Sequence, residues 1–138
     1  MKKIIVIVAF LLSTKILFAQ MPTNGLDVKH YTFFIDLNDS NNIIMGTAQV
    51  TTGFTEKENR VWLDLVNKNK EGKGMRVTSV LKNGIDLDYE QDSQHLIISD
   101  TGIPGKENTY IISYEGIPAD GLIISNNKYG TRTFFGDN

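Results

Sequence analysis

The chain has 138 residues, 41% of them hydrophobic and 22% charged, a balance that excludes disordered and collagen-like polymers and fits one ordinary globular domain. It has no cysteine, which excludes a thiol nucleophile and lipid attachment at a cysteine. Its formal charge of −2 comes without the clustered Lys and Arg that neutralise phosphates, so no nucleic-acid partner is expected.

The chain opens on Met1-Lys2-Lys3, an apolar run from Ile4 to Leu12, and a second patch, Ile16-Leu17-Phe18-Ala19. This is the pattern of an export signal, with small Ala19 just before a cleavage point. The uninterrupted run is too short to span a bilayer, which takes roughly 20 apolar residues. Residues 1–19 are therefore expected to be a removed signal helix, the protein to be exported to the periplasm or beyond, and any membrane contact to be made through that signal. Their removal takes away Lys2, Lys3 and Lys15 and no acid, leaving a mildly acidic domain. Residues 20–27, with Pro22, Asn24 and Gly25, show no periodicity and are expected to be a linker.

From His30 the apolar residues recur with period two. Tyr31, Phe33, Ile35 and Leu37 share a face, as on a strand with one side buried. The turn-forming cluster Asn38 to Asn42 joins this strand to a β-rich run from Ile43 to Phe54. Gly46 and Gly53 there mark a bulge or a close approach to the backbone. Val61, Leu63 and Leu65 form a third strand, and the loop Val66 to Gly74, rich in Lys and Asn, is expected to be a solvated turn. Met75, Val77, Ser79 and Leu81 alternate into Lys82-Asn83-Gly84-Ile85, where Asn-Gly is the strongest short-range hairpin signal. Ile85, Leu87 and Tyr89 are expected on the return strand, with Asp86, Asp88 and Glu90 on its solvent face, and His95 to Ser99 comes back after another turn. A loop from Asp100 to Asn108 precedes a last alternating run, Tyr110, Ile112 and Tyr114, which ends at Gly116-Ile117-Pro118.

No apolar stripe of helical spacing occurs after the signal segment. The expected fold is all-β, two packed antiparallel sheets in a sandwich or saddle-like pair.

The chemistry-bearing residues do not assemble into a catalytic pattern. His30 and His95 are far apart, and neither has a second histidine at the i+4 spacing that presents two imidazoles to zinc. Both are expected as strand residues near a sheet edge. No serine sits in a Gly-x-Ser-x-Gly elbow. Gly102-Ile103-Pro104-Gly105-Lys106 has short glycine spacing and no following helix to cradle a phosphate, so it reads as a turn. Asn38-Asp39-Ser40 matches a glycosylation acceptor, which matters only in a eukaryotic secretory pathway. Near the end, Phe134 and Phe135 form an aromatic pair where an isolated domain would put polar residues. That pair suggests a chain meant to continue and pack onward.

Five segments together resemble one family, the gluzincin aminopeptidases of the aminopeptidase N and leukotriene hydrolase type. They are Val28-Lys29-His30-Tyr31-Thr32-Phe33-Phe34-Ile35-Asp36, Ile44-Met45-Gly46-Thr47-Ala48-Gln49-Val50, Leu63-Asp64-Leu65, Val77-Thr78-Ser79-Val80 and Tyr114-Glu115-Gly116-Ile117-Pro118-Ala119-Asp120-Gly121-Leu122. The last is the most specific. The resemblance implies that residues 28–138 are the family's opening β-domain, which packs on a catalytic domain of the same polypeptide and helps wall the cleft for peptide substrates. In similar bacterial members Arg-Thr-Phe-Phe-Gly-Asp-Asn is followed by Trp-Pro-Asn-Arg-Ala and then by the catalytic domain. That domain holds the zinc motif His-Glu-x-x-His, a distant Glu ligand and the Gly-x-Met-Glu-Asn segment. None of these is in this sequence, so no cofactor and no catalytic residue are expected in the chain, zinc is implied only for a full-length family protein, and no peptidase activity is expected from this segment alone. By position Thr133, Phe134, Phe135 and Gly136 are implied at the cleft edge. Phe134 departs from the Gln or Glu that many members place there.

Two other readings compete. One is a stand-alone secreted β-sandwich that binds a surface partner or a carbohydrate, with Trp62 and Phe54 as candidate platform aromatics. The other is an interaction domain derived from such a peptidase that has lost catalysis.

Overall fold

The computed structural model describes residues 25–136. The expected signal helix over 1–19 and most of the expected linker lie outside the described residues, and Leu26 and Asp27 already belong to the first strand. Among the described residues there are ten strands and no helix.

The strands are β1 (Leu26–Asp36), β2 (Ile44–Phe54), β3 (Val61–Asp64), β4 (Gly74–Lys82), β5 (Ile85–Asp86), β6 (Tyr89–Gln91), β7 (His95–Ile98), β8 (Glu107–Ile117), β9 (Leu122–Asn126) and β10 (Arg132–Gly136). They form a five-stranded sheet of order β1-β2-β8-β4-β5, a three-stranded sheet of order β3-β7-β6 and a separate β9-β10 hairpin. Every pair of strands is antiparallel. Three sheets thus stand where two were expected.

The core lies where the two larger sheets meet. Ala48 and Val50 of β2, Val77 and Val80 of β4, and Tyr110 and Ile112 of β8 join Val61 and Leu63 of β3 and Leu96 and Ile98 of β7 in one buried cluster. Period-two alternation supplies most of this core directly, because Ala48 pairs with Ile112, and Val50 with Tyr110, across the β2–β8 ladder.

Two bulges reset the alternation. In β1 the register shifts between Val28 and His30, so Leu26 and Val28 share a face with Tyr31, Phe33 and Ile35. In β4 it shifts between Val77 and Ser79. Val77 and Val80 are therefore the buried pair, where strict alternation had placed Ser79 and Leu81 with Val77. Gln91 serves the backbone beside this second bulge: its Oε1 accepts from Val77 N–H at 3.0 Å, and its Nε2 donates to the Met75 carbonyl at 2.7 Å.

Asn83 and Gly84 take φ of 54° and 77°, and Lys82 faces Ile85 across the turn as the Asn-Gly signal required. The return strand differs from expectation. It pairs with β4 at Ile85 and Asp86, and Leu87 N–H still donates to the Val80 carbonyl at 2.9 Å; it then crosses between Leu87 and Asp88 and resumes as β6 in the other sheet. Ile85 and Tyr89 therefore belong to different sheets, and the three acids do not share one strand face.

A polar cluster closes one end of the core. Lys82 Nζ donates to both oxygens of Asp100 at 2.8 and 2.6 Å, and Tyr110 Oη and Asn108 Nδ2 donate to Asp100 Oδ2 at 2.8 and 3.0 Å. Burial works to raise the Asp100 pKa, but the hydrogen bonds from Lys82 and Tyr110 hold it below the usual carboxylate range. Burial pushes the Tyr110 phenol up, so it stays a donor to Asp100.

Candidate functional site

The β9–β10 hairpin carries Thr133, Phe134, Phe135 and Gly136, the four residues that the resemblance implied at a cleft edge. Thr133 faces Ser125, Phe134 faces Ile124, Phe135 faces Ile123 and Gly136 faces Leu122. Asn127 shapes the turn by accepting from Tyr129 and Thr131 N–H at 2.9 and 3.0 Å, and Gly130 supplies the positive φ of 81°. Both faces of the ribbon are apolar at its base. Leu122, Ile124 and Phe134 are half-buried on one side, while Ile123 and Phe135 are exposed on the other. A two-stranded ribbon on its own is marginally stable in water. This one is tied to the rest by Arg132, whose Nε donates to the Asp39 carbonyl at 3.2 Å and whose guanidinium also meets the Asn42 side chain.

Beside the hairpin, part of the inner face of the five-stranded sheet is open. A groove of about 410 Å³ has Tyr31, Phe33 and Ile35 on one wall and Tyr114, Pro118 and Leu122 on the other. Tyr31, Phe33 and Ile35 are about half exposed, so the alternating apolar face of β1 is present but not buried as expected. The Tyr31 and Phe33 rings stack with centroids 5.6 Å apart and planes 9° from parallel. Gly46, directly opposite Ile35 and Tyr114, is where the Tyr114 ring lies on the backbone: a Cβ there would fall 2.4 Å from the ring. This is the close approach that the glycine signalled. Burial also raises the Tyr114 phenol pKa.

The remaining chemistry-bearing side chains stay apart. His30, on the outer face of β1, is within 3.2 Å of Thr32 Oγ1. His95 is not at a sheet edge but opens β7, the central strand of the small sheet. Its ring lies edge-on to Trp62, with centroids 5.9 Å apart, and its Nδ1 is 3.0 Å from Asp92 Oδ2. Asp92 is held below the usual carboxylate range, first by the hydrogen bond from Gln94 N–H and then by those from His95. Among the described residues no group of three or more His, Cys, Asp and Glu could hold a metal. The residues present do not fit zinc.

Of the two aromatics proposed for a carbohydrate platform, Phe54 is buried in the core with its ring against Gly102, where a Cβ would fall 2.1 Å away. Gly102 thus seats a core ring and pairs with Glu58. The exposed aromatics lie elsewhere, on β1 and the hairpin. Period-two spacing identified the β1 face but carried no sign of whether anything covered it.

No family model matches the sequence, and no curated protein matches it. Solved structures do. An M1 zinc metallopeptidase from Deinococcus radiodurans is similar with a TM-score of 0.59 and 26% identity, over 70% of this chain and 21% of that one. A mutant of an M1 zinc metallopeptidase from the same organism, bound to a Tyr-Ser-Ala substrate, has a TM-score of 0.58 at 24% identity, over 75% of this chain and 22% of that one. A two-domain M1 zinc metallopeptidase mutant bound to L-tryptophan gives 0.57 and 24%, over 76% and 22%. The chain spans about a fifth of the length of the structures it matches.

Proposed function

We propose that this chain is the N-terminal, non-catalytic β-domain of an exported zinc metallo-aminopeptidase of the M1 type, a sandwich-like unit that packs on the catalytic domain of the same polypeptide. The observation that carries the reading is the likeness of most of this chain to about a fifth of a zinc metallopeptidase at 26% identity. The open groove and the hairpin support it, because they present apolar surface of the kind another domain covers. In this reading the zinc, and the glutamate that takes a proton from the attacking water, sit in the catalytic domain. This domain binds and shapes: the hairpin segment Thr133, Phe134, Phe135 and Gly136 stands at the edge of the peptide cleft.

The test begins with the reading frame beyond Asn138. A continuation carrying His-Glu-x-x-His, expressed as a separate polypeptide and mixed with this chain, is expected to form a complex that releases N-terminal residues from peptides. The chain alone is expected to be inactive with or without added zinc. A gene with no such motif, or a motif-bearing polypeptide that neither binds this chain nor responds to it, would overturn the proposal.

A further inference from the structure

The outer edge of β1 is guarded along only part of its length. Bulges and charged side chains are the usual devices that keep a sheet edge from pairing with another chain. Here the bulge at Lys29 and the Lys29–Asp27 ion pair sit together at one end. Beyond them His30 to Asp36 run straight, with no proline and no lysine, and among the described strands β1 pairs only with β2.

From this unguarded stretch we infer that the chain self-associates through β1, two copies pairing antiparallel about a two-fold axis at Phe33. The sequence is self-complementary about that point. Phe33 meets its own copy and Tyr31 meets the copy's Ile35 on the inner face; Thr32 meets Phe34, and His30 meets the acid of Asp36, on the outer face. Hydrogen bonding between polar side chains and apolar contact between facing residues both stabilise such pairs. A two-fold axis through the sheet keeps inner faces on the same side, so the two open grooves join into one apolar trough across a continuous ten-stranded sheet. A one-residue slip would put Tyr31 and Phe33 opposite outer-face residues and lose that match.

The full chain, which has no cysteine of its own, makes the test direct. Residues at a two-fold axis between antiparallel strands bring their Cβ atoms within about 5.5 Å of each other, so Phe33→Cys is expected to oxidise to a disulfide-linked dimer. Phe135→Cys, exposed on the hairpin and away from β1, is expected to form no disulfide cross-link under the same oxidant. By light scattering after gel filtration, His30→Asp is expected to raise the dimer dissociation constant about tenfold, and His30→Asp combined with Asp36→His to restore it. Circular dichroism of each variant checks that the fold is retained. A chain that stays monomeric at every concentration, equal cross-linking through Phe33→Cys and Phe135→Cys, or a double variant no better than His30→Asp alone would overturn the inference.

Discussion

The inner face of the five-stranded sheet holds two contrasting regions. Over β8 and β4, and the half of β2 nearest Phe54, it is covered by β3 and β7: Tyr110, Leu96, Ile98 and Val80 are all but fully buried. Beside it, Tyr31, Phe33 and Ile35 of β1 flank a groove that ends at the β9–β10 hairpin. The two regions share strands, register and alternation and differ in what lies above them. The covered region holds the core together; the open one leaves apolar side chains of β1 about half exposed.

The largest expected contrast is in side-chain truncation. Leu96→Ala is expected to cost about 2–5 kcal/mol in urea unfolding, because it leaves a cavity between two sheets. Phe33→Ala, on the open face, is expected to cost no more than about 1 kcal/mol. Equal losses would erase the distinction between the regions.

Acid sensitivity is expected to belong to the covered region. Asp100→Asn should cost about 2 kcal/mol at neutral pH, because Lys82 and the Tyr110 hydroxyl lose their charged partner. The folded pKa of Asp100 lies below its unfolded value. Its contribution is thus fully present above about pH 4 and is lost as pH falls through the folded value. Urea midpoints from pH 7 downward are expected to converge for parent and variant in acid, and a gap that stayed constant would contradict this role for Asp100.

Two glycines sharpen the comparison. Gly102→Ala drives a methyl into Phe54, which is buried and has nowhere to go, at an expected cost of about 2 kcal/mol. Gly46→Ala meets the Tyr114 ring at 2.4 Å, but that ring borders the groove and can move into it, so about 1 kcal/mol or less is expected. Thermal melts of the two variants should rank them in that order.

The smallest effect on stability is expected from Phe135→Ser, within about 0.5 kcal/mol because the ring is exposed. Its consequence should fall on binding: under the proposed function the same change weakens association with the catalytic polypeptide, read by calorimetric titration.

The sequence carried the strands better than it carried the coverage. Asn83-Gly84 announced its turn, and Tyr110, Ile112 and Tyr114 announced the inner face of β8, because turn chemistry and period-two spacing are local. The crossing at Leu87-Asp88 was hidden, since a strand that changes sheets keeps its alternation. The bulge before Ser79 was hidden too, and with it the burial of Val80. The apolar face of β1 was visible, yet only the tertiary arrangement reveals that β3 and β7 stop short of it. At the candidate site, the Phe134-Phe135 pair stood out in the sequence, but nothing there said that the two rings would fall on opposite faces of a hairpin, Phe134 half-buried and Phe135 exposed. Phe54 stayed open in the sequence, because an aromatic at a strand end looks the same whether its ring faces solvent or Gly102, and the structure shows it buried.

The most direct test of the central claim, that the covered region is self-sufficient and the open one is built to be covered by a catalytic domain, is amide hydrogen exchange across the chain. Alone, β2, β7 and β8 should exchange slowly and Leu122–Asn126 and Arg132–Gly136 fast. With the zinc-motif polypeptide added, the hairpin amides should become protected while the core strands change little. Hairpin amides as slow as those of β8 in the isolated chain, or indifferent to that polypeptide, would contradict it.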